Sequence, residues 1–257
     1  MKSKAPEEPI ALQRYLLKRR VEDFAYDKTN PLDGQLAALI TDNKKAIKAA
    51  FDDLDKMDDQ QQAVENEDPE VSYSIRESLK EAMYDTYQSA EYLQEQLLAL
   101  FETKIIYAFK SLEINIKHLL NLAYKDKVTK FGRWDDIGQF LALKDISIST
   151  IENYKEIDDL KKVNNALKHS DKALGDKLKD VAEFKNKQEI SHAELELFYE
   201  RIKDAPDKFL KSLVSAVQND LFSFDVDRLS EISKSYALRM DKSTALAFSE
   251  SLMKLYE

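Results

Sequence analysis

The chain contains no cysteine, which excludes disulfides, thiolate metal sites, iron–sulfur clusters and cysteine nucleophiles. Glycine is nearly as scarce, with 4 in 257 residues, beside 5 prolines. Neither G-x-x-x-x-G-K-[ST] nor G-x-G-x-x-G occurs, so the common phosphate-cradling loops are excluded. With 3 histidines, a His-rich metal centre is not expected, and no paired Glu-x-x-His set marks a di-metal bundle. No apolar run approaches the ~18 residues that a membrane span needs. The first residues, MKSKAPEEPI, lack the apolar stretch of a secretory signal, which sets a cytoplasmic location as the expectation. Net charge is −9, from 39 Lys+Arg against 48 Asp+Glu, the wrong sign for a protein that binds nucleic acid over its whole surface. No cofactor and no metal are expected.

What remains is long helical patterning. Leu12, Tyr15, Leu16, Val21 and Phe24 recur at helical spacing within 9–27. Asn30-Pro31-Leu32-Asp33-Gly34 reads as a turn, followed by a helix over about 35–57. Residues 55–70 are acidic and Gln-rich with almost no large apolar side chains, and are read as a linker, the alternative being a solvated helix. After Pro69 no Gly or Pro interrupts the chain as far as residue 125. Two adjacent apolar stripes run through 98–123, one containing Phe101, Ile105, Leu112 and Leu119, the other Phe109, Glu113, Ile116 and Leu120. They describe a helix buried over a wide face.

A short helix is expected over 134–143, with Asp135 and Asp136 in its first turn. The next, capped by Ser147 or Ser149, carries Ile151, Tyr154, Ile157, Leu160, Val163 and Leu167 up to His169. Ser191 with Glu194 forms a capping box, opening a helical run to about 222 that Pro206 kinks or splits. Residues 225–255 are a final helix or helix pair. The fold class is all-α. The boundaries are 1–58 for N-terminal helices, 59–72 for the acidic linker, 73–223 for a helical bundle and 224–257 for a C-terminal extension.

His118 is read as a surface or bundle-edge residue and His192 as part of a helix start. His169 is different. Asn165 and His169 are i and i+4, and Lys162 lies two turns before His169, so the three share one side of a helix. Histidine is a general base or acid near neutral pH, and a neighbouring cation can stabilise developing phosphorane charge. The same residues also fit an ordinary Lys-rich helix C-terminus, where cations suit the helix dipole.

The run NNALKH at 164–169, inside a helix and followed by Ser-Asp-Lys, resembles the signature of the HEPN superfamily. The resemblance covers about residues 96–223 and implies a four-helix bundle. Its helices would be 96–125, 134–143, 149–169 and 191–222. Members include metal-independent ribonucleases of toxin–antitoxin and anti-phage systems, whose motif is an Arg followed, after four to six residues, by His. The resemblance places His169 as the catalytic histidine and Asn165 as the motif asparagine. Asn164 stands where the arginine belongs and cannot supply its charge. Lys162 holds the remaining cation at family spacing. Glu113 is either an acid beside the motif helix or a partner of Lys117 at i+4.

The expected function is a HEPN-like component of a bacterial defence or toxin–antitoxin-type system, a weak or degenerate metal-independent RNase. The rival is a non-catalytic helical module that binds a partner protein. Expected partners are a second copy through the His169 face, a protein from the same operon and RNA, with no membrane. Far-UV circular dichroism is expected to show a dominantly helical spectrum. A spectrum requiring ~20% strand, an ordinary globular share, would exclude this architecture.

Overall fold

A computed structural model describes residues 9–25, 30, 32–64, 69–124, 131–169, 178–187 and 189–256. They are all-α: no strand occurs among them beyond an isolated bridge position at Glu189. Helix α1 is Ile10–Glu22, continued by a 3-10 turn at Asp23–Ala25. Helix α2 is Asp33–Ala63 and α3 is Pro69–Tyr124. Helix α4 is Trp134–Ala142, α5 is Tyr154–His169, α6 is His192–Ile202 and α7 is Ala205–Phe222. Helices α8 (Val226–Ala237) and α9 (Lys242–Lys254) follow.

Much of this follows locally from residue type. With no breaker after Pro69, α3 runs 56 residues, starting well before the 96 expected for the first bundle helix. Proline is tolerated at its first position because that N–H has no helical partner anyway. Pro206 divides the 191–222 run as expected, with α6 ending at Ile202 and α7 starting at Ala205.

The acidic stretch departs from the linker expectation over residues 55–63, which continue α2. Its polar side chains pair along the helix: Lys56 Nζ meets Asp53 Oδ1 at 2.7 Å, and Gln62 Nε2 donates to Asp58 Oδ2 at 3.0 Å. Such pairs support a helix that buries little. Residues 65–68 of the expected linker lie outside the described residues.

The motif helix also starts later than expected, at Tyr154 rather than 149. Ile148–Thr150 form a 3-10 turn, and Asn153 adopts φ 60°, the left-handed region that ends a regular helix. The Glu152 N–H donates to Ser212 Oγ of α7 at 3.2 Å instead of entering a helical ladder. The Ser147 and Ser149 hydroxyls lie 3.0 Å from each other and cap neither element.

The chain divides into two compact units, each discontinuous in sequence. Unit 1 is Met1–Lys28, Leu112–Tyr154 and Asp207–Glu257; unit 2 is Thr29–Ser111 and Lys155–Pro206. The first 58 residues are therefore shared between them. In unit 1 the buried residues include Val21, Leu119, Ile137, Leu141, Phe209 and Leu213. In unit 2 they include Leu97, Ile105, Leu160, Phe184, Phe198 and Ile202. Along α3 the two apolar stripes merge into one face, in which Phe101, Ile105, Leu112, Ile116 and Leu119 are all buried. His118, at the edge of that face, is exposed.

The start of α6 is the best-defined cap. The Ser191 N–H donates to Glu194 Oε2 at 3.0 Å, its hydroxyl bonds the same oxygen, and Lys187 Nζ lies 2.8 Å from Oε1. The Lys187 ammonium, then the Ser191 hydroxyl, hold the Glu194 carboxyl down to about 2. A carboxyl lowered on folding stabilises the fold above its ordinary value of 4.5, and that contribution is lost as pH falls toward about 2. Glu194→Gln is expected to weaken the fold at neutral pH and to flatten the acid limb of its stability curve. Urea midpoints measured from pH 7 down to the acid limb check this; an acid limb as steep as that of the wild type would refute it.

Candidate functional site

Helix α5 sorts its residues by period. Ile157, Leu160 and Val163 are fully buried, while Asn165, Lys168 and His169 are exposed and Lys162 is half-buried. The expected side shared by Lys162, Asn165 and His169 is thus the outward one. Asn164, at the motif-arginine position, points the other way and is only 1% exposed. Its Nδ2 donates to Asn165 Oδ1 at 3.2 Å, and its own Oδ1 is buried without a hydrogen-bond partner.

Lys162 does not face outward as a bare charge. Its Nζ lies 2.8 Å from Asp158 Oδ2, one turn back. That hydrogen bond raises the lysine, and the fields of Asp158, Asp159 and Asp180 add to the effect. The cation is therefore already paired, with Asp158.

Glu113 belongs to unit 1, on α3, whereas the other four residues belong to unit 2. It pairs with Lys117 Nζ at 2.8 Å, which is the i+4 alternative. Both side chains remain about a quarter exposed.

A charged cluster that sequence reasoning did not single out holds α5 in unit 2. Asp159, 5% exposed, lies 3.1 Å from Arg201 Nη2 of α6. The same guanidinium grips Glu183, with Nε to Oε1 at 2.6 Å and Nη2 to Oε2 at 3.0 Å. Its plane also lies over Phe198, 5.3 Å from the ring centre. Burial pushes the Asp159 carboxyl up, against the opposing pull of Arg201. Burial pushes Glu183 up as well, but the hydrogen bonds from Arg201, a backbone hydrogen bond and the Arg201 charge together outweigh it and leave it lowered. The sequence carried one faint signal: Asp159 and Arg201 each flank an apolar stripe, Ile157–Leu160–Val163 and Phe198–Ile202.

Unit 1 holds a second polar feature, an open cleft of about 430 Å³ lined by Lys144, Asp145, Ser147, Thr150, Asp220 and Arg228 among others. Two of its charges, Asp220 and Arg228, are paired with each other. Asp220 accepts from Tyr124 Oη at 2.8 Å and from Arg228 Nη2 at 2.9 Å. Burial, then the bond to Asp220, pushes the Tyr124 hydroxyl far above its ordinary value. Lys144 Nζ lies over the Tyr124 ring at 4.8 Å.

Among the described residues, no three His, Asp or Glu side chains group to hold a metal ion, and no helix is long and apolar enough to cross a membrane. No family model matches the chain, and no curated protein or solved structure matches it significantly.

Asn164 is the position at which motif and packing diverge. An orphaned buried amide oxygen costs about 1–3 kcal/mol, so Asn164→Leu, which removes it at similar volume, is expected to stabilise the protein by ~1 kcal/mol. Asn164→Arg restores the HEPN-like pattern but buries a charge, and is expected to cost several-fold more than that gain. Urea unfolding of the two variants checks the opposite signs; an Asn164→Arg protein as stable as the wild type would show that this side chain reaches solvent.

Proposed function

We propose that this chain is a HEPN-like helical module of a defence or toxin–antitoxin-type system that acts by binding a protein partner rather than by cutting RNA. The carrying observation is the surroundings of Lys162. A scissile phosphate at the outer side of α5 would have to displace Asp158 from the one cation that the motif spacing supplies. A carboxylate so placed repels the phosphate and the negative charge that develops on it. The burial of Asn164 adds to this, since the second position able to present a donor to the phosphate is turned inward.

The nuclease reading draws on one observation of its own. Asn165 and His169 are both exposed, one turn apart, so the general-base half of the HEPN-like pair is open to solvent.

The test is cleavage of total RNA and tRNA in the presence of EDTA, comparing wild type with His169→Ala and Lys162→Ala. On the binding reading no variant cleaves, and His169→Ala leaves any growth phenotype of the chain unchanged. EDTA-resistant cleavage by the wild type that disappears in His169→Ala would overturn it and favour the nuclease.

A further inference from the structure

Helices α8 and α9 bury no residue. They are nevertheless well-made helices. Asp225 caps the first, accepting from the Arg228 N–H at 2.8 Å, and Asp241 caps the second, accepting from the Thr244 N–H at 2.7 Å. Arg228 also ties the first turn of α8 to the end of α7, donating to Asp220, to the Ser223 carbonyl at 2.8 Å and to the Asn219 carbonyl at 3.1 Å. The two helices meet through a stacked pair, Tyr236 and Phe248, with ring centres 5.5 Å apart.

Their apolar stripes extend well beyond that stack. Leu229, Ile232 and Tyr236 follow i, i+3, i+7 on α8; Phe248, Leu252 and Tyr256 follow i, i+4, i+8 along α9 and just past its end. These six side chains are between 36% and 64% exposed. Helices of 12 and 13 residues are marginal alone, so their stability must come from packing of this face.

Charge decides which occupant fits. Residues 225–256 carry five acids and five bases, no net charge, in a chain whose total is −9. The face selects neither a basic nor an acidic partner, and two copies of it do not repel each other. Area agrees. At ~150–250 Å² per large side chain, these six stripe residues together with Leu246, Met253 and Leu255, each of the latter more than half exposed, leave on the order of 800 Å² uncovered per chain. That is about the ~800 Å² that each partner contributes to a stable interface. Two copies of an apolar-faced helical hairpin have one general way to cover each other: an isologous pair closing a four-helix bundle.

We propose that α8 and α9 pack against the same two helices of a second copy of this chain, forming an intermolecular four-helix bundle around Tyr236, Phe248 and Leu252. The pairing is independent of the functional reading above, and it uses a surface other than the His169 side of α5.

The full-length chain tests this by sedimentation velocity. Interfaces of this size bind at micromolar or tighter, so at about 50 µM the wild type is expected to be a dimer. Phe248→Glu and Leu252→Glu are expected to give monomers that lose at most the helical signal of α8 and α9, the rest of the chain staying helical; Leu143→Glu, at an 81% exposed site elsewhere, is expected to remain a dimer. The cysteine-free chain allows a second readout that tolerates a variant that fails to fold. Single cysteines at Ala245, Ser249 and Leu252 bracket the face, and under mild oxidation at least one is expected to give a covalent dimer, while Asn165→Cys on α5 gives none. A monomeric wild type at about 50 µM, far above the micromolar limit, would overturn the proposal. So would a dimer that survives both Glu substitutions, or crosslinking through Asn165→Cys alone, which would place the contact on the α5 side.

Discussion

Arg201 is the residue on which the arrangement around α5 depends. Asp159 is taken almost wholly out of water on the inner side of that helix, and a lone carboxylate there would be costly. The guanidinium reaches it from α6 while forking onto Glu183 from the preceding 3-10 turn, Ala182–Phe184. One planar cation thus joins three consecutive elements of unit 2. A lysine could not replace it, because the two bonds to Glu183 and the one to Asp159 use separate donors of a fixed fork. Breaking a buried network of this kind costs ~3–5 kcal/mol, although replacing the whole set with apolar residues can be neutral. The network adds a directional tie to the inward side of α5 that the buried Ile157, Leu160 and Val163 already define.

That orientation determines which polar side chains of α5 reach solvent. With Asp159 turned toward Arg201, Asn164 follows it into the interior and Lys162 is left beside Asp158. Asp158, which pairs along the outer side of α5, thereby occupies the cation of that side.

The helices were largely legible because their determinants are local. The absence of breakers in 70–124, the Ser191–Glu194 capping box and Pro206 at the α6–α7 division each act within a few residues. The misjudged elements were those in which local signals conflicted. Residues 55–63 have no apolar face, but i, i+3 and i, i+4 pairs carry the helix through them. Ser147 and Ser149 are suitable caps by composition, yet a left-handed Asn153 and the reach of Ser212 to the Glu152 N–H delay the helix to Tyr154. At the site, i, i+4 spacing correctly grouped Asn165 with His169 on the outer side. It was silent on Asp159, Glu183 and Arg201, which lie up to 42 residues apart and meet only through the tertiary fold.

Among the described residues, the left-handed backbone positions are Asp145, Asn153 and Asn186, and no glycine occupies one. Short polar side chains tolerate this conformation through local hydrogen bonding, whereas glycine adopts it without strain but with far more freedom when unfolded. The consequence lies in the denatured chain. By turning corners on Asp and Asn, this sequence gives its unfolded ensemble fewer accessible conformations than glycine corners would. That restriction of the unfolded chain, which no contact in the folded state records, offsets part of the strain of holding Asp and Asn in the left-handed conformation.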